Sequence, residues 1–291
     1  MYTIDIPDPY FRDAVAAVDS GNIPALKQLL EANPRLVHDH LDTPAEGYFK
    51  HPYLLWFVAG NPIRHPTLPA NITGITKVIL DVMKHEQVKN YGQQLDYTLV
   101  LVATGSVARD CGVQVALIDV LLDAGASLPE TVHGAIAHNN LEAAEHLLKK
   151  GCTLTLTAAI CLNHKEDIER LARDATPDEL QVALVAAAFF GKAAMLSYLL
   201  QKGVDPNNFP ENGSGFHSHA TALHQAVYSG NQDAVKVLAN AGARFDLTDK
   251  VYGGTPVDWA DHMQTEEGYD EKAKKNFAEI ARWLRANENN N

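Results

Sequence analysis

Cysteine is scarce in this 291-residue chain: Cys111, Cys152 and Cys161 are all it has. An odd number at irregular spacing excludes a disulfide framework and predicts reduced thiols. Long apolar runs are missing too, and nothing approaches the roughly 18 residues that span a bilayer. Basic runs go no further than the pairs Lys149-Lys150 and Lys274-Lys275, against a net charge of −12. Nucleic acid and anionic membranes need a phosphate-neutralising stripe, so neither is an expected partner, and a charged partner would be basic. The opening MYTIDIPDPYF lacks the basic region and apolar run of a signal peptide, so a cytoplasmic location is expected. Phosphate loops and G-x-G-x-x-G fingerprints are absent. Gly213-Ser214-Gly215 is not a nucleophile elbow, because strand-like segments are nearly absent as well. No cofactor and no enzymatic activity are expected.

What the chain does have is repetition. Residues 221–243, TALHQAVYSGNQDAVKVLANAGA, contain two short helical patterns. Thr221 offers N-cap chemistry to the first, and Ser229-Gly230-Asn231 breaks it with residues that tolerate turns. The second places Ala234, Val235, Val237, Leu238 and Ala241 on one apolar face of helical period. Gly242 ends it, where a left-handed conformation is cheap. Helices this short are marginal alone and must be buried between neighbours.

Those neighbours recur. The endings LLDAGA at 121–126, LLKKGC at 147–152 and LLQKGV at 199–204 repeat the pattern. A degenerate copy spans 156–173 around Asn163-His164. Upstream, 11–30 reads as a pair about Gly21-Asn22, and Tyr53–Asn61 as a first helix with 75–83 as its partner. Downstream, Thr255 caps a helix with Pro256 at its first position, and 276–285 closes the array.

The stretch 221–243 resembles one ankyrin repeat. HSHATALHQAV at 217–227 and GTPVDWA at 254–260 look like a group of bacterial ankyrin-repeat proteins of uncharacterised function. The resemblance implies an all-α ankyrin solenoid of seven or eight helix-turn-helix units with short hairpin or loop fingers. It would occupy 1–286 as a single domain, with 287–291 a disordered tail, and would be a monomer. It also implies a scaffold that holds a protein partner on its concave face of loops and first helices.

Two groups of residues compete for a functional role. His217, His219 and His224 could hold a metal, and a small metal-binding protein or hydrolase centred on His217 and His219 is the alternative function. Against it, His224 occupies the ankyrin histidine position, whose ring, the resemblance implies, braces the turn; no metal is therefore assigned. Thr221, His224, Gly242, Thr255 and Pro256 are taken as structural. Aromatic residues in polar loops are the stronger signal. Tyr48, Phe49 and Tyr53 cluster early, and Phe209, Phe216, Tyr252 and Trp259 cluster late. The expected binding surface is Phe209, Phe216, His217, His219, Asp246, Asp249, Tyr252 and Trp259, with the aspartates meeting a basic partner. Cys152 and Cys161 are expected in helices as small buried hydrophobes.

Overall fold

The computed structural model describes residues 6–42, 50–62, 64–130, 132–210, 215–216 and 218–287. It divides into two compact units, Met1–Thr153 and Leu154–Asn291. Helix is the regular structure throughout. Among the described residues the only β pairing is two isolated antiparallel bridges, His40 with Tyr53 and Asn61 with His65. No described helix is long and apolar enough to cross a membrane.

The first unit contains α1 (Pro9–Ser20), α2 (Ile23–Ala32), α3 (Ile72–His85), α4 (Tyr91–Thr104), α5 (Ser106–Asp110), α6 (Gln114–Asp123), α7 (His133–Ala137) and α8 (Leu141–Lys150). Two 3-10 segments, Pro34–Val37 and Leu54–Ala59, complete it. One row of packed elements runs α1, 54–59, α4, α7; a second runs α2, α3, α6, α8. The expected first helix at 53–61 is therefore a six-residue 3-10 segment. Pro52 precedes it, and Gly60, at φ +74°, ends it. That leaves too few residues for a stable α-helix. A side chain at Gly60 would lie 2.7 Å from Val107, so the position has no room for anything larger.

The second unit stacks four pairs: α9 (Leu156–Leu162) with α10 (Lys165–Asp174), α11 (Pro177–Phe189) with α12 (Ala193–Gln201), α13 (Ala222–Tyr228) with α14 (Gln232–Asn240), and α15 (Pro256–Thr265) with α16 (Glu271–Asn287). First helices pack on first helices, and α12 on α14. Leu196, Leu199, Leu223 and Leu238 are fully buried. The degenerate pair turns at Asn163, whose φ of +64° suits an asparagine better than a branched side chain. Helix starts follow the expected chemistry. Thr176 and Glu179 form a reciprocal capping box, as do Thr255 and Asp258, with Pro177 and Pro256 at the first helical positions. Helix α16 runs to Asn287, and residues 288–291 lie outside the described residues.

Neighbouring pairs are laced by asparagine. The Asn71 side-chain amide donates to the Gly21 carbonyl at 2.8 Å, and Asn140 to the Ala103 and Gly105 carbonyls at 3.0 and 3.3 Å. In the second unit Asn231 donates to Gly191 O at 3.2 Å, and Asn276 to Gly230 O. Each bond takes an amide from near one pair's second helix to a backbone carbonyl in or beside the turn of the pair before it. The turn carbonyls are thereby satisfied without water.

Candidate functional site: an aromatic pocket on the last finger

Asp249 organises the finger between α14 and α15. Its carboxylate is 2% exposed and accepts four hydrogen bonds. One oxygen takes the N–H groups of Val251 and Tyr252 at 2.9 and 2.7 Å. The other takes the Gly254 N–H at 2.9 Å and the Trp259 indole N–H at 3.0 Å. Burial works against the charge, but these donors outweigh it and bring the carboxyl down to about 2. The turn is thus fixed by an internal anion, and its tip residues have nowhere to retreat. Val251 is 61% exposed and Tyr252 80%.

His224 locks the same turn from beneath. Its Nε2–H donates to the Gly254 carbonyl at 3.0 Å, while Nδ1 accepts from the Thr221 hydroxyl at 2.8 Å and the Thr221 N–H at 3.3 Å. This is the neutral Nε2–H tautomer, fully used. Burial drives its pKa down to about 4, only partly opposed by the bond to Gly254. A ring with both nitrogens engaged is not a metal ligand, which removes one member of the three-histidine set. His217 lies outside the described residues. His219 packs edge-on to Tyr252 at 5.7 Å and against Trp259 at 5.9 Å.

Around this turn opens a cavity of about 570 Å³. Its aromatic walls are Tyr228, Tyr252 and Trp259, with His219 between them; Tyr228 and Trp259 stand 6.4 Å apart at 72°. Asp258 supplies an anionic edge. Its carboxyl lies below the usual range because the Thr255 N–H and hydroxyl donate to it, at 2.8 and 2.7 Å. His262 lines the same cavity and reaches Glu266 at 2.8 Å.

Of the eight predicted surface residues, the structure gathers three here: His219, Tyr252 and Trp259. Two predictions are corrected. Asp249 is an internal hub and cannot meet a partner. Phe216 is 2% exposed, seated on Phe189 at 5.6 Å, so it belongs to the core. Phe209 is half-buried under the Lys250 ammonium, 4.2 Å from its ring, and Asp246 is exposed but paired with Arg244 at 2.7 Å. The 205–210 stretch is sewn down rather than projecting. Asn207 donates to Gly242 O at 3.0 Å and accepts the Arg244 N–H at 2.8 Å, and Gln181 donates to Asn208 O at 3.0 Å. Tyr48 and Phe49 lie outside the described residues, while Tyr53 packs on Trp56 at 5.4 Å.

Sequence reasoning missed Tyr228, Asp258 and His262. The signal was there for the last two: 258/262 and 259/263 are i,i+4 pairs that put a carboxylate, an indole, an imidazole and a thioether on one strip of α15. Cys152 and Cys161 are buried and held as thiols. Cys161, in α9, is pushed up to about 12 by burial. Cys152 lies beyond the end of α8, not within a helix as expected; its thiol donates to Pro129 O at 3.0 Å, and burial raises it too.

Residues 132–249 match the family model for ankyrin repeats (three copies). A 128-residue stretch is 34% identical to ankyrin repeat domain-containing protein SAT10 of Stachybotrys chartarum, covering 40% of this chain and 6% of that protein. A 134-residue stretch is 29% identical to inactive serine/threonine-protein kinase TEX14 of Bos taurus, covering 46% of this chain and 7% of that protein. The aligned stretches thus span only 6% and 7% of these curated relatives. Among solved structures the chain is similar to the human ASB11 ankyrin repeat domain, at 16% identity, 94% coverage of this chain, 97% of that one and a TM-score of 0.33.

Proposed function

We propose that this chain is a cytoplasmic protein-interaction module, and that its docking point in the second unit is the Tyr252–Trp259 pocket, which takes a basic segment of a partner protein. The observation that carries the proposal is the exposed Tyr252, held by a buried anion over an aromatic cavity with a carboxylate at its edge. One exposed tyrosine is unremarkable by itself, but a turn fixed by four hydrogen bonds to Asp249 and one from His224 is pre-organised. Pre-organised aromatics lose less entropy on binding and are the common anchors of interfaces. Lysine or arginine side chains gain both from ring faces and from Asp258. The overall excess of 36 acidic over 24 basic residues favours the same class of partner through long-range attraction.

Metal or hydrolytic chemistry centred on His217 and His219 has less to support it. His224 is consumed by the finger, and His219 is packed between two aromatic rings. The test is affinity capture from the source cell with the intact chain and a Tyr252→Ala variant, at low salt and at about 0.5 M salt. The expected result is a protein partner retained by the wild type at low salt, released by salt and lost in the variant, at unchanged melting temperature. A partner held equally by both chains would refute the pocket. The absence of any co-purifying protein from either would refute the scaffold.

A further inference from the structure

The first unit holds a cluster that neither the helix pairing nor the aromatic pocket uses. Past the 3-10 segment Pro34–Val37, His40 pairs with Tyr53 across an isolated antiparallel bridge, and the Leu41 N–H donates to the Pro52 carbonyl at 3.0 Å. These two backbone contacts close the chain on itself and bring His40, Asp42 and His51 together. One ligand-capable atom from each lies within 4.8 Å of the others. The two imidazole rings stand 5.2 Å apart, and His51 Nδ1 is 3.4 Å from the Asp42 carboxylate. The Leu41 carbonyl faces both rings, 3.4 Å from His40 Nδ1 and 3.3 Å from His51 Nδ1. His51 sits at φ +49°, a region unfavourable for a side chain of its size.

We infer that His40, Asp42 and His51 form a binding site for a divalent transition-metal ion of the zinc, nickel or copper class. The donor set decides the class: two imidazoles and one carboxylate suit these borderline ions, whereas calcium and magnesium require six or more oxygens. The geometry needs only a modest closure. Zinc bonds of about 2.0–2.2 Å put tetrahedral ligand atoms roughly 3.3 Å apart, so no separation here has to shrink by more than about 1.5 Å. Asp42, with a 94% exposed side chain, is free to contribute to that closure by a change of rotamer. The Leu41 carbonyl, within 3.4 Å of both Nδ1 atoms, holds the two rings side by side, the orienting part that a backbone carbonyl plays for ligating imidazoles. Arg35, which lines the adjoining cleft, is paired with Asp8 at 2.6 Å and Asp39 at 3.6 Å, which offsets its repulsion of an incoming ion. Three protein ligands leave a fourth position for water, and the site borders an open cleft of about 570 Å³. Sequence reading passed over this set because His40 and His51 lie eleven residues apart and are brought together by the His40–Tyr53 bridge and the Leu41–Pro52 hydrogen bond.

A line of rings connects the site to a natural reporter. His40 stands edge-on to Tyr53 at 5.7 Å, Tyr53 to Trp56 at 5.4 Å, and Trp56 to Tyr97 at 4.4 Å. Copper(II) in the site therefore lies close enough to quench Trp56. The test uses the full chain without a histidine tag. Zinc is titrated calorimetrically at neutral pH, and copper(II) by tryptophan emission. The expected result is one equivalent of zinc, weakened about tenfold or more in each of His40→Ala, His51→Ala and Asp42→Asn, with circular dichroism unchanged. Copper quenching should vanish in Trp56→Phe and persist in Trp259→Phe. Asp42→Asn guards against a folding artefact, since this side chain is solvent-exposed. No zinc binding by the wild type, binding that survives all three ligand variants, or quenching that survives Trp56→Phe would each overturn the site.

Discussion

Replacing Asp249 with asparagine is the most incisive perturbation of the second unit, because it changes charge and donor pattern with almost no change in shape. The carboxylate oxygen bound to Val251 and Tyr252 has a carbonyl counterpart in the amide. The oxygen bound to Gly254 N–H and the Trp259 indole becomes an NH₂ group, which sets donor against donor. Charge-assisted hydrogen bonds contribute about 1.5–3 kcal/mol each, so losing two costs about 3–6 kcal/mol. Proton linkage gives an independent figure. The folded carboxyl titrates at about 2 and an unfolded aspartate at about 3.9. At about 1.36 kcal/mol per pKa unit, the ionised form stabilises the fold by about 2–3 kcal/mol at neutral pH. Because the folded value is the depressed one, that contribution is complete above about pH 5 and is lost as pH falls through 2; about half survives at pH 3. Urea unfolding followed by tryptophan emission should show Asp249→Asn destabilised by about 3 kcal/mol at pH 7, with the gap to wild type narrowing at pH 3. Equal midpoints at pH 7, or a gap indifferent to pH, would refute the description of Asp249 as the anion that builds the finger.

His224 carries a proton more readily unfolded than folded, so stability should rise with pH between about 4 and 6.5, by up to about 3 kcal/mol; His224→Gln should flatten that slope, as urea midpoints across this range would reveal. Gly242 sits at φ +84° with open space where a Cβ would stand, so Gly242→Val should cost about 1–3 kcal/mol from the backbone alone; an unshifted melting point counts against it. Phe216→Ala should cost about 3–5 kcal/mol and Phe209→Ala below about 2 kcal/mol, an order that parallel denaturation curves check. Arg64 forks onto Asp19 at 2.5 and 2.7 Å and lies over the Phe57 ring; Arg64→Ala leaves Asp19 largely buried and alone, and should lower the first unit's stability by about 2–4 kcal/mol in a urea titration.

Much of the fold was legible because turns and caps announce themselves locally. Gly21-Asn22, Asn163-His164 and Gly230-Asn231 mark the breaks between paired helices, and Thr221, Thr255 and Pro256 mark starts, since each acts through its own neighbouring backbone. The 54–59 segment misled because its apolar spacing suits a helix while its flanking proline and glycine decide its length. The site was legible only in part. Tyr252 and Trp259 are aromatics in polar surroundings, a pattern visible in one dimension. That Asp249 points inward to Trp259 and Phe216 packs on Phe189 depends on contacts between residues well separated along the chain, which no local pattern contains. Asp249 and Asp246 look alike in sequence; only the indole and three amides that converge on one of them set the two apart.

The asparagine lacing gives each stack a direction. Every turn carbonyl it satisfies belongs to the earlier pair, and every amide that does so belongs to the later one. Removing the last pair takes Asn276 away and returns the half-buried Gly230 carbonyl to solvent, whereas removing the first pair takes away Gly21 and leaves an exposed amide on Asn71. Each link is therefore a property of two neighbouring pairs, and trimming either end gives up one link to water without disturbing the next. A protease or an unfolding force that works inward from the C-terminal side of the second unit would meet the α15–α16 pair first, and the aromatic pocket, built on α15 and the finger before it, would be lost with that pair.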